Sequence, residues 1–283
     1  MHDSCEIEAP AKTNLWLRIL GKREDGFHEI DTRMVRLGLA DRLRLRWRDD
    51  RTIALRCSDP DLPVGEENLV VRAVRALERH TGRTFGLDID LEKRIPSGAG
   101  LGGGSSDAAA VLRALDSMAG LGLSESELAS VGATIGSDVP FFLYQRPCDC
   151  RGRGEIVVPV PDDELPPPLR VFLVKPSFGI AAAWAYRHYA TSREHDGFSY
   201  GTQPGPWGEM VNHLERPVFG KYPLLGEMKT WLLSRPETNA TLLSGSGSTM
   251  LAVLGEDADA ALLERETLAR YGDTCWTWTG WTN

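Results

Sequence analysis

Pro96-Ser97-Gly98-Ala99-Gly100-Leu101-Gly102-Gly103-Gly104-Ser105-Ser106-Asp107, running directly into Ala108-Ala-Ala-Val-Leu-Arg-Ala-Leu115, decides how this chain is read. Five glycines fall within the seven positions from 98 to 104. Glycine has no side chain and loses the most entropy on ordering, so such a run is not core filling. Its use is to bare backbone N–H groups to something bulky and negative. The residues that follow predict a helix. Ser105 or Ser106 is the expected N-cap, and Ala108, Val111, Leu112 and Leu115 form an apolar stripe at helical spacing. Free N–H groups and the helix dipole both favour phosphate at such a terminus. A plain turn before a packed helix would need two glycines, not five.

The loop is neither of the two commonest phosphate loops. A P-loop needs a lysine between its last glycine and the Ser/Thr, and none stands there. A dinucleotide fingerprint follows the first strand and is trailed by an acidic residue for a ribose. Here the glycines follow a later strand, Leu87-Asp-Ile-Asp-Leu-Glu92, with Pro96 between.

The 283 residues suit one large domain or two smaller ones. A 42% hydrophobic and 25% charged composition is that of an ordinary globular protein, and no apolar run approaches the roughly 20 residues of a membrane span. The acidic opening Met1–Pro10 lacks an apolar segment, so no secretory signal is expected. Five scattered cysteines lack zinc-ligand spacing and read as reduced thiols of a cytoplasmic protein. The net charge of −8 argues against nucleic acid as a partner. It also repels anionic substrates at long range, so phosphate must be held locally by N–H groups and a few placed cations. The alternation in Arg42-Leu-Arg-Leu-Arg-Trp-Arg48 reads as a strand with Leu43, Leu45 and Trp47 inward and its arginines in solvent.

Strand signals open the chain: Leu15, Leu17 and Ile19 alternate with Trp16, Arg18 and Leu20. Asn68 caps a helix that Gly82 stops, and Ser124-Glu-Ser-Glu127 is a capping box. Pro161-Asp-Asp-Glu-Leu-Pro-Pro-Pro168 is the best junction between domains, since three prolines continue neither helix nor ladder. The C-terminal part predicts a strand at Leu169–Val174, a helix at Ala181–Tyr189 and a mobile loop over 191–208. Helices are predicted at Glu209–Glu215 and Leu224–Leu233. Two strands flanking Ser244-Gly-Ser-Gly-Ser248, a helix ending near Tyr271 and a tryptophan-rich final strand complete the chain. Strands and helices mix without regular alternation, so the class is α+β rather than a doubly wound sheet.

Four further segments carry polar groups where a plain fold would not want them. In Ala9-Pro-Ala-Lys-Thr-Asn-Leu15, Lys12 and Asn14 share one face of a strand that is otherwise apolar. Asp138 lies between Gly136 and the apolar Val139-Pro-Phe-Phe142, where a buried carboxylate needs a counter-ion, and Lys12 is the natural one. Gly26-Phe27-His28 offers an aromatic face and an imidazole suited to a heterocyclic base. The serine–glycine turn 244–248 has more glycine than a hairpin needs, which implies close backbone approach. Each feature alone has a bland alternative: a snorkelling lysine, an N-cap aspartate, a chance surface dipeptide, a hairpin.

Together these segments resemble the GHMP kinases, a family that includes galactokinase, homoserine kinase and mevalonate kinase. The match is carried by Pro10-Ala-Lys-Thr-Asn-Leu15, Gly26-Phe-His28, Pro96–Ser106, Gly136-Ser-Asp-Val-Pro-Phe141, Arg151-Gly-Arg-Gly-Glu155, Asn212 and Ser244-Gly-Ser-Gly247. The opening motif with Gly-aromatic-His resembles the branch acting on a cytidine-diphosphate-linked methylerythritol in non-mevalonate isoprenoid synthesis. The resemblance implies a ribosomal protein S5 domain 2-like N-terminal domain over 1–165 and a ferredoxin-like C-terminal domain over 166–283. It implies ATP and Mg²⁺ as cofactors, Lys12 and Asp138 as the catalytic pair, residues 96–106 for ATP, and Asn14, Phe27 and His28 for the small-molecule substrate. It also implies a cytoplasmic monomer or homodimer with neither membrane nor nucleic acid as partner; metal ligands stay open. Another small alcohol as acceptor, or a nucleotide-binding protein without catalysis, are the alternatives. Ala181-Ala182, His213 and Tyr144–Cys150 depart from the family pattern, and the first of these leaves one expected substrate contact open.

Overall fold

The computed structural model describes residues 3–165, 167–205 and 207–283. Its first two strands, β1 (Ser4–Lys22) and β2 (His28–Trp47), form one long antiparallel hairpin. Then follow β3 (Ile53–Cys57), α1 (Leu69–Thr81), β4 (Leu87–Glu92), α2 (Gly103–Ala119), α3 (Glu125–Ala133), α4 (Val139–Leu143), β5 (Cys148–Gly152) and β6 (Ile156–Pro159). The second half supplies β7 (Arg170–Lys175), α5 (Ala182–Tyr189), β8 (Gln203–Gly205), β9 (Gly208–Asn212), α6 (Glu215–Lys221), α7 (Pro223–Leu233), β10 (Thr238–Leu243), β11 (Met250–Leu254), α8 (Ala260–Tyr271) and β12 (Trp276–Trp281). Among the described residues one sheet runs β3-β4-β2-β1-β9-β8, with β5 joined to β2 and β6 to β5, and a second runs β10-β11-β7-β12.

The mixed α and β class expected from the sequence is what the chain adopts. On β2, Leu43 and Leu45 are buried while Arg42, Arg44 and Arg46 stand in solvent beside Glu8, Glu6 and Asp90. The Asn68 cap accepts the Val70 N–H, Gly82 ends α1 in the left-handed region, and Ser124 and Glu127 close their capping box. Helices α1 to α4 pack one apolar layer on the first sheet, and α5 to α8 pack another on the second. A third layer lies between the sheets and includes Ala11, Leu15, Ala99 and Leu101. Burying Leu101 there contributes roughly 2 kcal/mol, so the glycine loop is anchored by its apolar members. Among the described residues no helix is long and apolar enough to cross a membrane.

Three expectations need correction. Neither Ser105 nor Ser106 caps α2: the N-cap is Gly102, left-handed at φ 72°, with no side-chain cap bond. A Cβ at Gly102 would stand 2.9 Å from the Phe142 ring and 3.0 Å from Lys12 Cγ, so packing overrides the better capping chemistry of serine. The helix predicted at Glu209–Glu215 is instead strand β9, parallel to β1 with Trp16 opposite Val211 and Leu17 opposite Asn212, followed by α6. Part of the loop over 191–208 is ordered as β8 in a hairpin with β9. Tertiary pairing with β1 outweighs local preference. In the proline-rich junction Asp162–Glu164 forms one 3₁₀ turn; Pro166 lies outside the described residues.

Candidate active site

A cavity of about 900 Å³ opens between the glycine loop, β1, the start of α4 and the start of α5. Residues Pro96 to Ser105 all line it. The first hydrogen bond of α2 runs from the Ser106 N–H to the Gly102 carbonyl at 2.9 Å, so the N–H groups of Gly103, Gly104 and Ser105 precede the helical ladder. Moving the cap from serine to glycine thus frees these groups for an anion. Ser106 turns inward, and among the described residues its buried hydroxyl has no partner. The second glycine turn locks onto the first: Ser248 N–H donates to Gly98 O at 3.3 Å and Thr249 N–H to Ala99 O at 3.2 Å. Gly100 sits at φ 76°, and a Cβ on it would overlap the Ser244 carbonyl oxygen, which is the close approach the sequence implied. Asn212 on β9 steadies that turn, its amide donating to the carbonyls of Leu243 and Gly245 at 2.7 Å each.

Register shifts at Pro10/Lys12 and Asn14/Trp16 re-aim β1 so that Lys12 and Asn14 both face the cavity. The backbone N–H of Lys12 donates to Leu101 O at 2.9 Å, tying strand to loop. Lys12 is 4% exposed, and its ammonium donates to Asn14 Oδ1 at 2.9 Å. The Asn14 amide in turn donates to Thr32 Oγ1 at 2.7 Å, which fixes its orientation. Asp138 occupies the N-cap position of α4, and its Oδ2 lies 3.7 Å from Lys12 Nζ. The expected partnership of Lys12 and Asp138 is therefore present, but the expected burial of the carboxylate is not. Val139, Pro140, Phe141 and Phe142 turn into the core and leave Asp138 at the cavity mouth with 39% of its side chain exposed.

The far end of the cavity is aromatic. Phe27 is 51% exposed, and the Arg153 guanidinium sits 4.7 Å from its ring centre. His28 stacks on Tyr186 at 5.9 Å and meets Tyr189 edge-on. Burial, and then the nearby Lys22 charge, lower the His28 pKa and favour neutral imidazole. Burial likewise raises the Tyr186 phenol well above its ordinary value. Sequence reasoning missed Tyr186; its signal was an aromatic three residues beyond Ala183 on α5, a helix whose Ala182 and Ala183 also line the cavity. It missed the cations Lys22, Arg153 and Arg187 around the same cavity as well. His213 is structural: its Nδ1 accepts the Ile19 N–H at 3.0 Å and its ring lies parallel to Tyr189. Among the described residues no three His, Cys, Asp or Glu side chains cluster as a metal site.

Cation, carboxylate and a free helix terminus facing one cavity suit transfer of a charged group to a hydroxyl. The GHMP kinases N terminal domain model matches residues 68–146, which contain the whole glycine loop. The 4-diphosphocytidyl-2-C-methyl-D-erythritol kinase of Syntrophotalea carbinolica is 41% identical over 92% of this chain and 93% of its own length. That of Methylacidiphilum infernorum is 38% identical over 95% and 93%. A crystal structure of 4-(cytidine 5'-diphospho)-2C-methyl-D-erythritol kinase superposes with a TM-score of 0.78 at 34% identity, covering 99% of both chains. Homoserine kinase from Cytophaga hutchinsonii, at 17% identity and a TM-score of 0.68 over 100% of this chain and 95% of its own, shares the fold.

Proposed function

This chain belongs to the 4-diphosphocytidyl-2-C-methyl-D-erythritol kinase family of GHMP kinases, and from that membership we propose the roles of its site residues. The reaction is transfer of the γ-phosphoryl group of ATP to the 2-hydroxyl of 4-diphosphocytidyl-2-C-methyl-D-erythritol, giving the 2-phosphate and ADP for isoprenoid precursor synthesis. The observation carrying the reading is that one cavity joins the free N–H groups of α2, the Lys12–Asp138 pair and the Phe27–His28–Tyr186 end.

Phosphoryl transfer needs little covalent help and depends on positioning and charge. The N–H groups of Gly103, Gly104 and Ser105 hold the β- and γ-phosphates, aided by the positive end of the α2 dipole. Mg²⁺ carried by the nucleotide offsets phosphate charge when bound. Asp138 accepts the hydroxyl proton as oxygen attacks phosphorus, and its half-open position gives the acceptor alcohol access to the carboxylate. Lys12, oriented by Asn14, keeps Asp138 ionised and faces the charge that develops on the transferring group. Phe27 and Tyr186 sandwich the cytosine and neutral His28 offers it a hydrogen bond, while Asn14 contacts the methylerythritol end. Arg153 and Arg187 meet the substrate diphosphate; these local cations overcome the long-range repulsion of a chain with net charge −8.

Residues 1–165 are read as the ATP-binding domain of S5 domain 2-like type and 166–283 as a ferredoxin-like domain. β8 and β9 nonetheless extend the first sheet from the far side of the junction. A cytoplasmic location fits phosphorylated, water-soluble substrates. A coupled assay of ADP release with the cytidine-diphosphate substrate, mevalonate and galactose tests the reading. Turnover with the first and none with the others is expected; the reverse preference would refute it.

A further inference from the structure

Beneath the free end of α2 lies a group of buried charges that the proposed transfer does not use. Lys93, between β4 and the glycine loop, sends its ammonium inward, with 7% of its side chain exposed. Its Nζ lies 2.7 Å from Asp107 Oδ2 and in still closer contact with Asp41 Oδ2. Asp41 is saturated, because its Oδ1 also accepts the N–H groups of Arg94 at 2.5 Å and Ile95 at 2.8 Å. Asp107 is not: among the described residues its buried Oδ1 has no partner, and the neighbouring Ser106 hydroxyl is equally orphaned. Both Lys93 and Asp107 line the cavity, and Lys93 Nζ stands 3.3 Å from where a Cβ on Gly103 would be.

Two carboxylates and one ammonium leave a surplus negative charge under the helix terminus that has to receive a triphosphate. A proton on Asp107 removes the surplus and turns an unpaired acceptor into a donor. We propose that Asp107 is a positioning residue that takes up a proton as the nucleotide triphosphate docks on the N–H groups of Gly103, Gly104 and Ser105. The inference rests on the nucleotide reading given above.

The charged groups facing Asp107 support it. Burial first, and then the negative charge of Asp41, push its carboxyl up to about 7 against the pull of Lys93. The Cys57 thiol at the end of β3 feels Lys93, Asp59 and Asp107, and Glu67 and Asn68, just before α1, line the same cavity. An arriving anion raises the Asp107 pKa further. Where Asp107 is already protonated, binding takes up nothing; where it is ionised, binding must take up a proton and weakens as pH rises.

Titration calorimetry of the Mg²⁺ complex of a non-hydrolysable ATP analogue, in two buffers of different ionisation enthalpy, reads the protons. At pH 8 the full-length protein is expected to take up about one proton more than Asp107→Asn, protons of the nucleotide itself cancelling in the difference. Between pH 6.5 and 8.5 its affinity should fall roughly tenfold relative to that of Asp107→Asn. In the unmodified protein alone, uptake of about one proton is expected at pH 8, where the Mg²⁺-bound triphosphate is itself fully ionised, so the test does not depend on the variant folding. Equal proton counts in the two binding proteins, or no uptake at pH 8, would overturn this inference alone. Undiminished binding by Gly103→Val would overturn the nucleotide reading and this inference together.

Discussion

Replacing Gly100 with alanine tests whether close contact of two backbone turns builds the site. At φ 76° an L-residue costs roughly 1–2 kcal/mol. The new Cβ would overlap the Ser244 carbonyl oxygen and stand 2.9 Å from Gly247 N and 3.0 Å from Gly247 O. All three are backbone atoms, so relief requires moving the turns apart, at a further 1–3 kcal/mol or so. The expected loss is roughly 2–5 kcal/mol. Gly104→Ala is the control within the same loop: it is helical, and its Cβ would meet Leu69 Cδ1 at an ordinary 3.4 Å. That change should be neutral or stabilise by up to about 1 kcal/mol. Urea unfolding measures both variants. The displaced turn also carries Gly245, whose Cβ position is 3.2 Å from Lys12 Nζ and 3.5 Å from Asn14 Oδ1. Turnover of Gly100→Ala should therefore fall roughly tenfold to a hundredfold, as misplacements near 1 Å do. A Gly100→Ala protein within 1 kcal/mol of wild type (about the error of the comparison) and with unchanged kcat would refute the reasoning.

Lys12→Met should lower kcat at least about a hundredfold while unfolding free energy changes by only about 1 kcal/mol, since the lost ammonium makes a single short hydrogen bond; a large loss of stability with activity retained would count against its role. Phe27→Ala and Tyr186→Ala should each raise KM for the cytidine substrate roughly 5- to 150-fold by losing one stacked face, with KM for ATP unmoved; parallel effects on both constants would argue against stacking. Lys229→Met strands Glu215, whose Oε2 lies 2.5 Å from Lys229 Nζ and whose Oε1 accepts the Leu243 N–H, and should cost about 3–5 kcal/mol in urea unfolding. Burial already raises the Glu215 pKa, and removing the cation raises it more, so the ionised folded form is penalised. The loss should be larger at pH 8 than at pH 5, and equal losses at both would contradict that origin.

Much of the site was legible because its chemistry is written in residues that fold badly without it. Lys12 and Asn14 interrupt an apolar strand, and Asp138 precedes a run that must be buried. Five clustered glycines have no use in a core. What was hidden depended on tertiary approach. The cap of α2 moved from serine to Gly102 because Phe142 and Lys12 fill the space a side chain would need. The segment 208–212 became a strand because β1 offers it an open edge and Asn212 finds two carbonyls of the second glycine turn. Asp138 stayed half-open because the apolar run turns away from it. Tyr186 and the Lys93–Asp41–Asp107 group come from elements far apart in sequence, and no spacing rule connects them.

In the proposed transfer, Asp138 takes the proton of the acceptor hydroxyl beside Lys12. Single-turnover transfer from ATP to the cytidine-diphosphate substrate, measured for Asp138→Asn beside nucleotide affinity by calorimetry, examines that directly. Loss of the base should slow transfer by roughly 10²–10⁴ and leave ATP affinity nearly intact. Transfer within tenfold of wild type would contradict the assignment.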